Sequence, residues 1–350
     1  MGTGFFFRTQ TDSLEEGDEI QERYRERPRE ILSFLAPRLR KIVEKLTEDW
    51  WANLEEIRLR TGKPLQISGS RLAFLASDGV VSTDPQAGYV VTEDDIYRTI
   101  QLMGGNSLYT LEAELREGFI TIPGGHRIGL SGECLSADGR LLRVRKITSL
   151  NIRLAKELIG IARTLMPYLY TKDRPLRTLI LSPPQAGKTT LLRDIIRSLS
   201  NGEGIGRPIK VGVVDERNEI SGAYQGIPQL DIGVSTDLLC GCPKKDGVFL
   251  LLRSMGPQVI AMDEIGRPGD IEFVEEILNS GVGFISTAHA WSTQDLAVRP
   301  GLRRIWRQAL VERVVILSRR LGTGTLEGIW DGQSKKPLCT EAFRLEVKAV

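Results

Sequence analysis

The apolar positions of this chain change period as one reads along it. From Glu30 to Leu46 the residues Ile31, Phe34, Leu35, Leu39, Ile42, Val43 and Leu46 recur at helical spacing, which predicts an amphipathic helix broken early by Pro37. Glu56-Ile-Arg-Leu-Arg60 then alternates as a half-buried strand should, and Leu65–Ile67 and Leu72–Leu75 predict further short strands, with Asp78-Gly79 as a turn signal. Thr92-Glu-Asp-Asp95 has the form of a capping box with Asp in place of Glu; it opens a helix through about Met103, ended by Gly104-Gly105. Residues 118–122, 127–132, 141–144 and 150–154 predict strands, separated by Pro123-Gly-Gly125 and Asp138-Gly139.

A helical stretch is expected from Lys156 to Tyr170, followed by the polar break Thr171-Lys-Asp-Arg-Pro175. From Leu176 onward short apolar strands alternate with helical stretches: 177–182, 188–200, 209–215, 244–254, 258–263, 269–280, 282–288 and 312–318. Such alternation implies a mainly parallel sheet with helices on both faces and ligands at the carboxyl ends of the strands. The expected organisation is a loose polar extension over 1–28, a smaller α+β domain over 29–155, a helix and linker over 156–175, and an α/β domain over 176–350.

The stretch Ser182-Pro-Pro-Gln-Ala-Gly-Lys-Thr-Thr190 follows the apolar run 178–181 and precedes Leu191-Leu-Arg-Asp-Ile-Ile196. Strand, tight loop and helix form the context of a phosphate-binding loop. Backbone N–H groups of the loop and of the first helical turn face one concavity, with the positive end of the helix dipole behind it. Lys188 would reach the β- and γ-phosphates of a nucleotide, and the Thr189 hydroxyl suits Mg²⁺, which prefers compact oxygen ligands. The pattern departs from G-x-x-x-x-G-K-[ST] at its first position, where Ser182 stands for Gly; Pro183 and Pro184 stiffen the loop.

Three further strands end in polar residues on the same expected rim. Val259-Ile-Ala-Met-Asp-Glu264 looks like a Walker B element, with Asp263 placed to hold Mg²⁺ and Glu264 to orient or deprotonate water. Val211-Gly-Val-Val-Asp-Glu216 ends in two acids, with Glu219 beyond, and Phe284-Ile-Ser-Thr-Ala-His289 ends in Thr and His. His289 is open to two readings, a phosphate-sensing hydrogen bond or a packing role.

Composition narrows the partners. At 350 residues, 41% hydrophobic and 26% charged, the chain reads as an ordinary globular protein of about two domains. A net charge of +2 makes no general case for nucleic acid. No apolar run approaches a membrane span of about 20 residues, and Phe5-Phe-Phe7 is too short for a signal-peptide core, so a cytoplasmic protein with at most peripheral membrane contact is expected. Of Cys134, Cys240, Cys242 and Cys339 only the C-x-C pair is close, a poor zinc signal, and reduced structural cysteines are expected.

The blocks 182–190, Val-Val-Asp-Glu-Arg (213–217), Leu-Leu-Arg-Ser-Met-Gly-Pro-Gln-Val-Ile-Ala-Met-Asp-Glu-Ile-Gly (251–266) and Ser-Thr-Ala-His (286–289) closely resemble the stage III sporulation protein AA family. Glu-Ile-Arg-Leu-Arg (56–60) and the run 118–132 resemble it too, so the likeness covers roughly residues 30–330. More distantly, the core is similar to hexameric ATPases of type II and type IV secretion systems. The resemblance implies a RecA-like P-loop ATPase core using ATP and Mg²⁺, in a homo-oligomeric ring, a hexamer by likeness. It implies that Asp215, Glu216 and Glu219 support the Mg²⁺–water shell and that Glu264 is the general base. Asp263 stands where secretion ATPases often have Gly, which blurs the roles of Asp263 and Glu216. The implied setting is the mother cell, at the septal membrane, powering a channel built from other membrane-embedded stage III proteins.

The competing class is a nucleic-acid-dependent ATPase, since RecA-like cores also serve DNA and RNA. The chain ends about 30 residues past its last expected core strand, leaving no room for a single-strand-binding domain, and its charge is nearly balanced. Nucleic acid is therefore not the expected partner. No N-K-x-D occurs to read guanine. The core shows no obvious arginine in cis beside the phosphate loop, whereas Arg58, Arg60, Arg127 and Arg153 lie on or beside N-terminal strands, which suggests an arginine lent between subunits.

Overall fold

The helical spacing of residues 30–46 is realised in two pieces. A 3₁₀ helix spans Arg27–Phe34, and α1 (Pro37–Val43) restarts with Pro37 at its first turn, where the missing N–H costs nothing. The computed structural model describes residues 27–104, 118–137 and 140–346. Residues 1–26 of the expected extension, Gly105 and the Asp138-Gly139 turn lie outside the described residues.

Two units divide the chain between Lys156 and Glu157. In the first, α2 (Glu48–Asn53) leads into β1 (Glu56–Arg60), β2 (Gln66–Ser68), β3 (Leu72–Leu75) and β4 (Val81–Ser82). The Thr92 capping box forms as read. The Asp95 N–H donates to Thr92 Oγ1 at 3.1 Å and the Thr92 N–H to Asp95 Oδ2 at 2.9 Å, and α3 (Glu93–Met103) follows. Then come β5 (Phe119–Thr121), β6 (Arg127–Ala137) and β7 (Arg140–Arg153). The strands expected at 141–144 and 150–154 are one long strand, bulged against β6. Among the described residues seven strands form one antiparallel sheet, β4-β3-β2-β1-β7-β6-β5. The alternating Ile57 and Leu59 of β1 join Ile128 and Ile152 in the core beneath α1 and α3.

The second unit opens with a departure. Residues 157–165 are irregular, and only α4 (Met166–Leu169) is helical. The cause is Asp194 on α5 (Lys188–Asn201). Its buried carboxylate accepts the Gly160 N–H at 3.0 Å and the Ala162 N–H at 2.7 Å, taking donors a continuous helix would have used. Arg197, one turn on, closes the network with Asp194 and Glu203.

The sheet contains β8 (Thr178–Ser182), β9 (Val211–Asp215), β10 (Thr236–Cys240), β11 (Val259–Met262), β12 (Gly283–His289), β13 (Arg313–Ser318), β14 (Thr325–Asp331), β15 (Pro337–Cys339) and β16 (Phe343–Arg344). Its order among the described residues is β10-β9-β11-β12-β8-β13-β14-β15, with β16 also on β14. It is mixed, the expected parallel strands being extended by antiparallel ones. β8 to β13 run parallel, but β14, β15 and β16 pair antiparallel, because the chain after β13 returns by tight turns at Gly322 and Gly324 rather than by a crossover helix.

The parallel strands inside the edge strand β10 are buried on both faces, and alternate residues enter two cores. Ile180, Val213, Ala261 and Ile285 meet α5, whereas Leu181, Val214, Met262 and Phe284 meet α6 (Lys244–Ser254), α7 (Asp270–Asn279), α8 (Thr293–Val298) and α9 (Pro300–Arg307). Among the described residues no helix is long and apolar enough to cross a membrane.

Candidate phosphate-binding site

β8 is buried along its whole length and ends at Ser182, so the loop leaves the sheet at its carboxyl rim. The Ser182 hydroxyl donates to the Pro183 carbonyl at 2.7 Å, which satisfies a buried side chain where the pattern has Gly. Pro183 and Ala186 are buried, Pro184 and Gln185 exposed, and Gly187, Lys188, Thr189 and Thr190 half-buried. Gly187 takes φ 89° as the N-cap of α5, a left-handed conformation that suits glycine. This turn leaves the first N–H groups of a 14-residue helix directed at the loop's concavity. The Gly324 N–H donates to the Ala186 carbonyl at 3.2 Å, so the β13–β14 turn buttresses the loop. Gly322-Thr-Gly324 was the local signal for that contact.

Two neighbouring strand ends complete the site. His289, at the end of β12, has Nδ1 3.4 Å from the Ser182 carbonyl and Nε2 3.4 Å from Lys188 Nζ. With Nδ1–H donating to the carbonyl, Nε2 accepts from the Lys188 ammonium. Glu264 Oε2 lies 3.2 Å from the same Nε2. Asp263, just past β11, is buried, and its Oδ1 accepts from the Thr287 hydroxyl at 3.0 Å. The backbone beyond Glu264 is fixed by the Ile265 N–H donating to the Thr287 carbonyl at 2.8 Å. Asp270 Oδ2 then accepts the Gly266 and Arg267 N–H groups at 2.8 and 2.9 Å. The loop 182–190, Asp263, Glu264 and His289 therefore meet at one rim.

The acids after β9 divide. Glu216 pairs with Lys244 at 2.5 Å and, with Glu264, Asp263 and His289, lines a cavity of about 450 Å³. Asp215 does not fit the metal-shell role that resemblance implied. It is fully buried; Oδ1 accepts the Glu219 and Ile220 N–H groups at 2.9 and 3.2 Å, and Oδ2 accepts the Ser221 N–H at 2.8 Å and hydroxyl at 2.7 Å. Both oxygens are spent shaping the loop after β9. Arg193 on α5 holds the same loop from the other side, its guanidinium donating to the Glu219 carbonyl at 2.9 Å and to that of Ile220.

Among the described residues no arginine is recorded in contact with the phosphate loop, but a cluster stands on the neighbouring rim. Arg217, Arg267 and Arg299 all line the cavity that holds Asp263 and Glu264. Three separate loops bring them together, so no sequence window contains the cluster. Gly301 allows it: α9 lies so close to the Gly266 carbonyl that an added Cβ would stand 1.9 Å from that oxygen. The first-unit arginines are engaged locally. Arg58 and Arg153 reach Glu56 at 3.0 and 3.4 Å, Arg60 donates to Gln66, and Arg127 stacks over Phe119.

The donor set fits a phosphate chain with Mg²⁺. The ammonium of Lys188 and the α5 N–H groups suit anionic oxygens, while Thr189 and the second oxygen of Asp263 suit the metal. Among the described residues no group of three His, Cys, Asp or Glu side chains is placed to cage a metal.

A family model described as sporulation stage III, protein AA matches residues 25–336. The stage III sporulation protein AA of Bacillus subtilis (strain 168) is 41% identical over 303 residues, covering 86% of this chain and 94% of that protein. Among solved structures the chain is similar to the pilus retraction motor PilT with bound ADP, at 14% identity and a TM-score of 0.51, covering 79% of this chain and 77% of that one. At that identity the likeness bears on the fold alone, and it agrees with an α/β architecture. The family match, extending from the first described helix through β14, carries the identification: this chain belongs to the stage III sporulation protein AA family.

Proposed function

We propose that the chain is a Mg²⁺-dependent ATPase that works as a ring-shaped motor on a membrane channel during sporulation. One observation carries the catalytic part: Lys188, Glu264 and His289 come from the helix and two strand ends and converge within 3.2–3.4 Å of one imidazole nitrogen, beside the phosphate-binding loop. Lys188 and the α5 N–H groups bind and orient the triphosphate. Glu264, aimed by the Thr287 contact and the Asp270 cap, orients the attacking water and accepts its proton. Glu216 is held by Lys244, which leaves Glu264 the better-placed base. His289, hydrogen-bonded to the Ser182 carbonyl, stands between Lys188 and Glu264 and senses whether the γ-phosphate is present. Thr189 and Asp263 hold Mg²⁺, which when bound neutralises charge developing on the transferred phosphoryl group.

The wider setting rests on family membership and on the B. subtilis relative's name, which ties that protein to stage III of sporulation. We assign the chain to the mother-cell side of the septal membrane, in a homo-hexameric ring of the secretion-ATPase kind, acting on membrane-embedded stage III proteins. The test is phosphate release from Mg·ATP by the purified full chain across a wide dilution series. Hydrolysis that rises in specific activity as rings assemble is expected. Absence of hydrolysis at every concentration overturns the ATPase, and stimulation by single-stranded DNA at physiological salt would move the reading to a nucleic-acid-dependent enzyme.

A further inference from the structure

The cavity behind Glu264 and His289 has a character of its own. No residue of the phosphate-binding loop lines it. Its cations are Arg217, Arg267, Arg299 and Lys244, against the carboxylates Glu216, Asp263 and Glu264. Lys244 is taken by Glu216. Among the described residues the guanidinium groups of Arg217, Arg267 and Arg299 have no ion-pair or hydrogen-bond partner, although each offers five N–H donors in a planar fork suited to tetrahedral oxyanions.

Their backbones are anchored. The loop carrying Arg217 is tied down by Asp215, and the Arg267 N–H is held by Asp270 at 2.9 Å. Arg299 sits between α8 and α9, and its own N–H donates to the Asp295 carbonyl at 3.0 Å. Anchored backbones reduce the ordering cost of gripping an anion. The cavity meets the phosphate loop at the Glu264–His289 pair, since His289 Nε2 lies 3.4 Å from Lys188 Nζ and 3.2 Å from Glu264 Oε2.

We infer that this cavity is a second oxyanion site, which takes inorganic phosphate as it leaves the phosphate loop past Glu264 and His289. The product assignment rests on the ATPase reading; the anion site itself does not. Once the γ-phosphoryl group has become free phosphate, the three guanidiniums draw it away from ADP.

The experiment separates the two. Inorganic phosphate is titrated by calorimetry, at fixed ionic strength, into the full-length Lys188→Ala chain, whose phosphate loop is impaired. One phosphate per chain is expected to bind, at least tenfold more weakly in Lys188→Ala with Arg267→Gln and Arg299→Gln, and in part restored by Arg→Lys at the same positions. These arginines are exposed, so the variants are expected to keep wild-type circular dichroism. Equal phosphate affinity with and without Arg267 and Arg299 overturns the site. In the wild type, phosphate is expected to inhibit hydrolysis non-competitively with ATP, and to lose that effect in Arg267→Gln with Arg299→Gln. Purely competitive inhibition would return phosphate to the loop and overturn the exit route. A wild-type chain that binds phosphate in an arginine-dependent way but never hydrolyses ATP would remove the ATPase reading and leave the anion site.

Discussion

Lys188 and His289 are separated by 101 positions in the chain, yet Nζ and Nε2 stand 3.4 Å apart. The contact exists because β12 and β8 pair in parallel with His289 opposite Ser182, so the end of one strand overlooks the loop leaving the other. Removing the Lys188 ammonium deletes charge-assisted contacts to phosphate of about 1.5–3 kcal/mol each. Lys188→Ala is expected to fold and to lose turnover by about 100-fold or more. Unchanged turnover at saturating ATP would exclude the loop as the catalytic site.

Glu264 and Asp263 are neighbours with different surroundings, and their variants are expected to fail differently. Glu264→Gln keeps the shape and the contact to His289, so Mg·ATP binding should persist while hydrolysis falls by about 10²-fold or more. Asp263→Asn should weaken ATP binding and shift its Mg²⁺ dependence together. Binding isotherms at several Mg²⁺ concentrations, set beside steady-state rates, distinguish the two. Full activity in Glu264→Gln would move the base to Glu216.

Asp215 is expected to behave as a structural residue. Asp215→Ala leaves the Glu219, Ile220 and Ser221 N–H groups without their acceptor, two of these residues being buried, at a cost of about 3–5 kcal/mol in total. Thermal denaturation should show that loss, while the Mg²⁺ dependence of whatever activity remains stays where it was. The reverse outcome, normal stability with altered Mg²⁺ dependence, would restore Asp215 to the metal shell.

Glu312 joins the start of β8 to β13, accepting from Arg174 at 2.6 and 2.8 Å and from the Arg177 N–H at 3.0 Å. Burial alone would push its carboxyl up, but the Arg174 hydrogen bonds and the Arg177 amide and guanidinium outweigh it and hold it at about 2, against an ordinary 4.5. The carboxyl is depressed in the folded state, so its stabilisation is complete above pH 4.5 and is lost as pH falls toward 2. Glu312→Gln should cost about 2–3 kcal/mol at pH 7, less than a fully buried pair because Arg174 is half exposed. Melting curves of wild type and variant should converge between pH 4.5 and 2. A difference independent of pH would mean that packing, rather than charge, is what the substitution removes.

Cys240, at the end of β10, and Cys242 both precede α6, and both thiols are shifted upward. For Cys240 the causes are burial and then the charge of Asp215; for Cys242 they are burial followed by Cys240, Asp246 and Glu216. Thiolate is the reactive form, so at neutral pH both should label more slowly than exposed Cys134. Peptide mass spectrometry after timed alkylation reads this directly. Faster labelling of Cys240 than of Cys134 would contradict the assignment.

What the sequence determined by itself is local. Ser182–Thr190 is legible because strand, left-handed Gly187 and amphipathic helix are each dictated by near neighbours, and so is the Thr92–Asp95 cap. The apolar runs ending at Asp215, Glu264 and His289 are equally plain, since a strand buried on both faces must be nearly continuous in apolar residues. The family resemblance added the expectation of a nucleotide and of a ring. Only the tertiary structure decided where long-range hydrogen bonds and close approaches go. Helical spacing in 156–170 lost to a carboxylate on α5, because Asp194 took the N–H groups of Gly160 and Ala162. The antiparallel strands after β13 depended on which edge of the sheet lay open. Asp215, one of two adjacent acids, turned inward to its own loop while Glu216 turned to Lys244. Arg217, Arg267 and Arg299 became a cluster because Gly301 let α9 lie against Gly266. Each of these outcomes depends on groups that meet only after the sheet has assembled, and a buried polar group takes whichever partner the packed chain brings within reach.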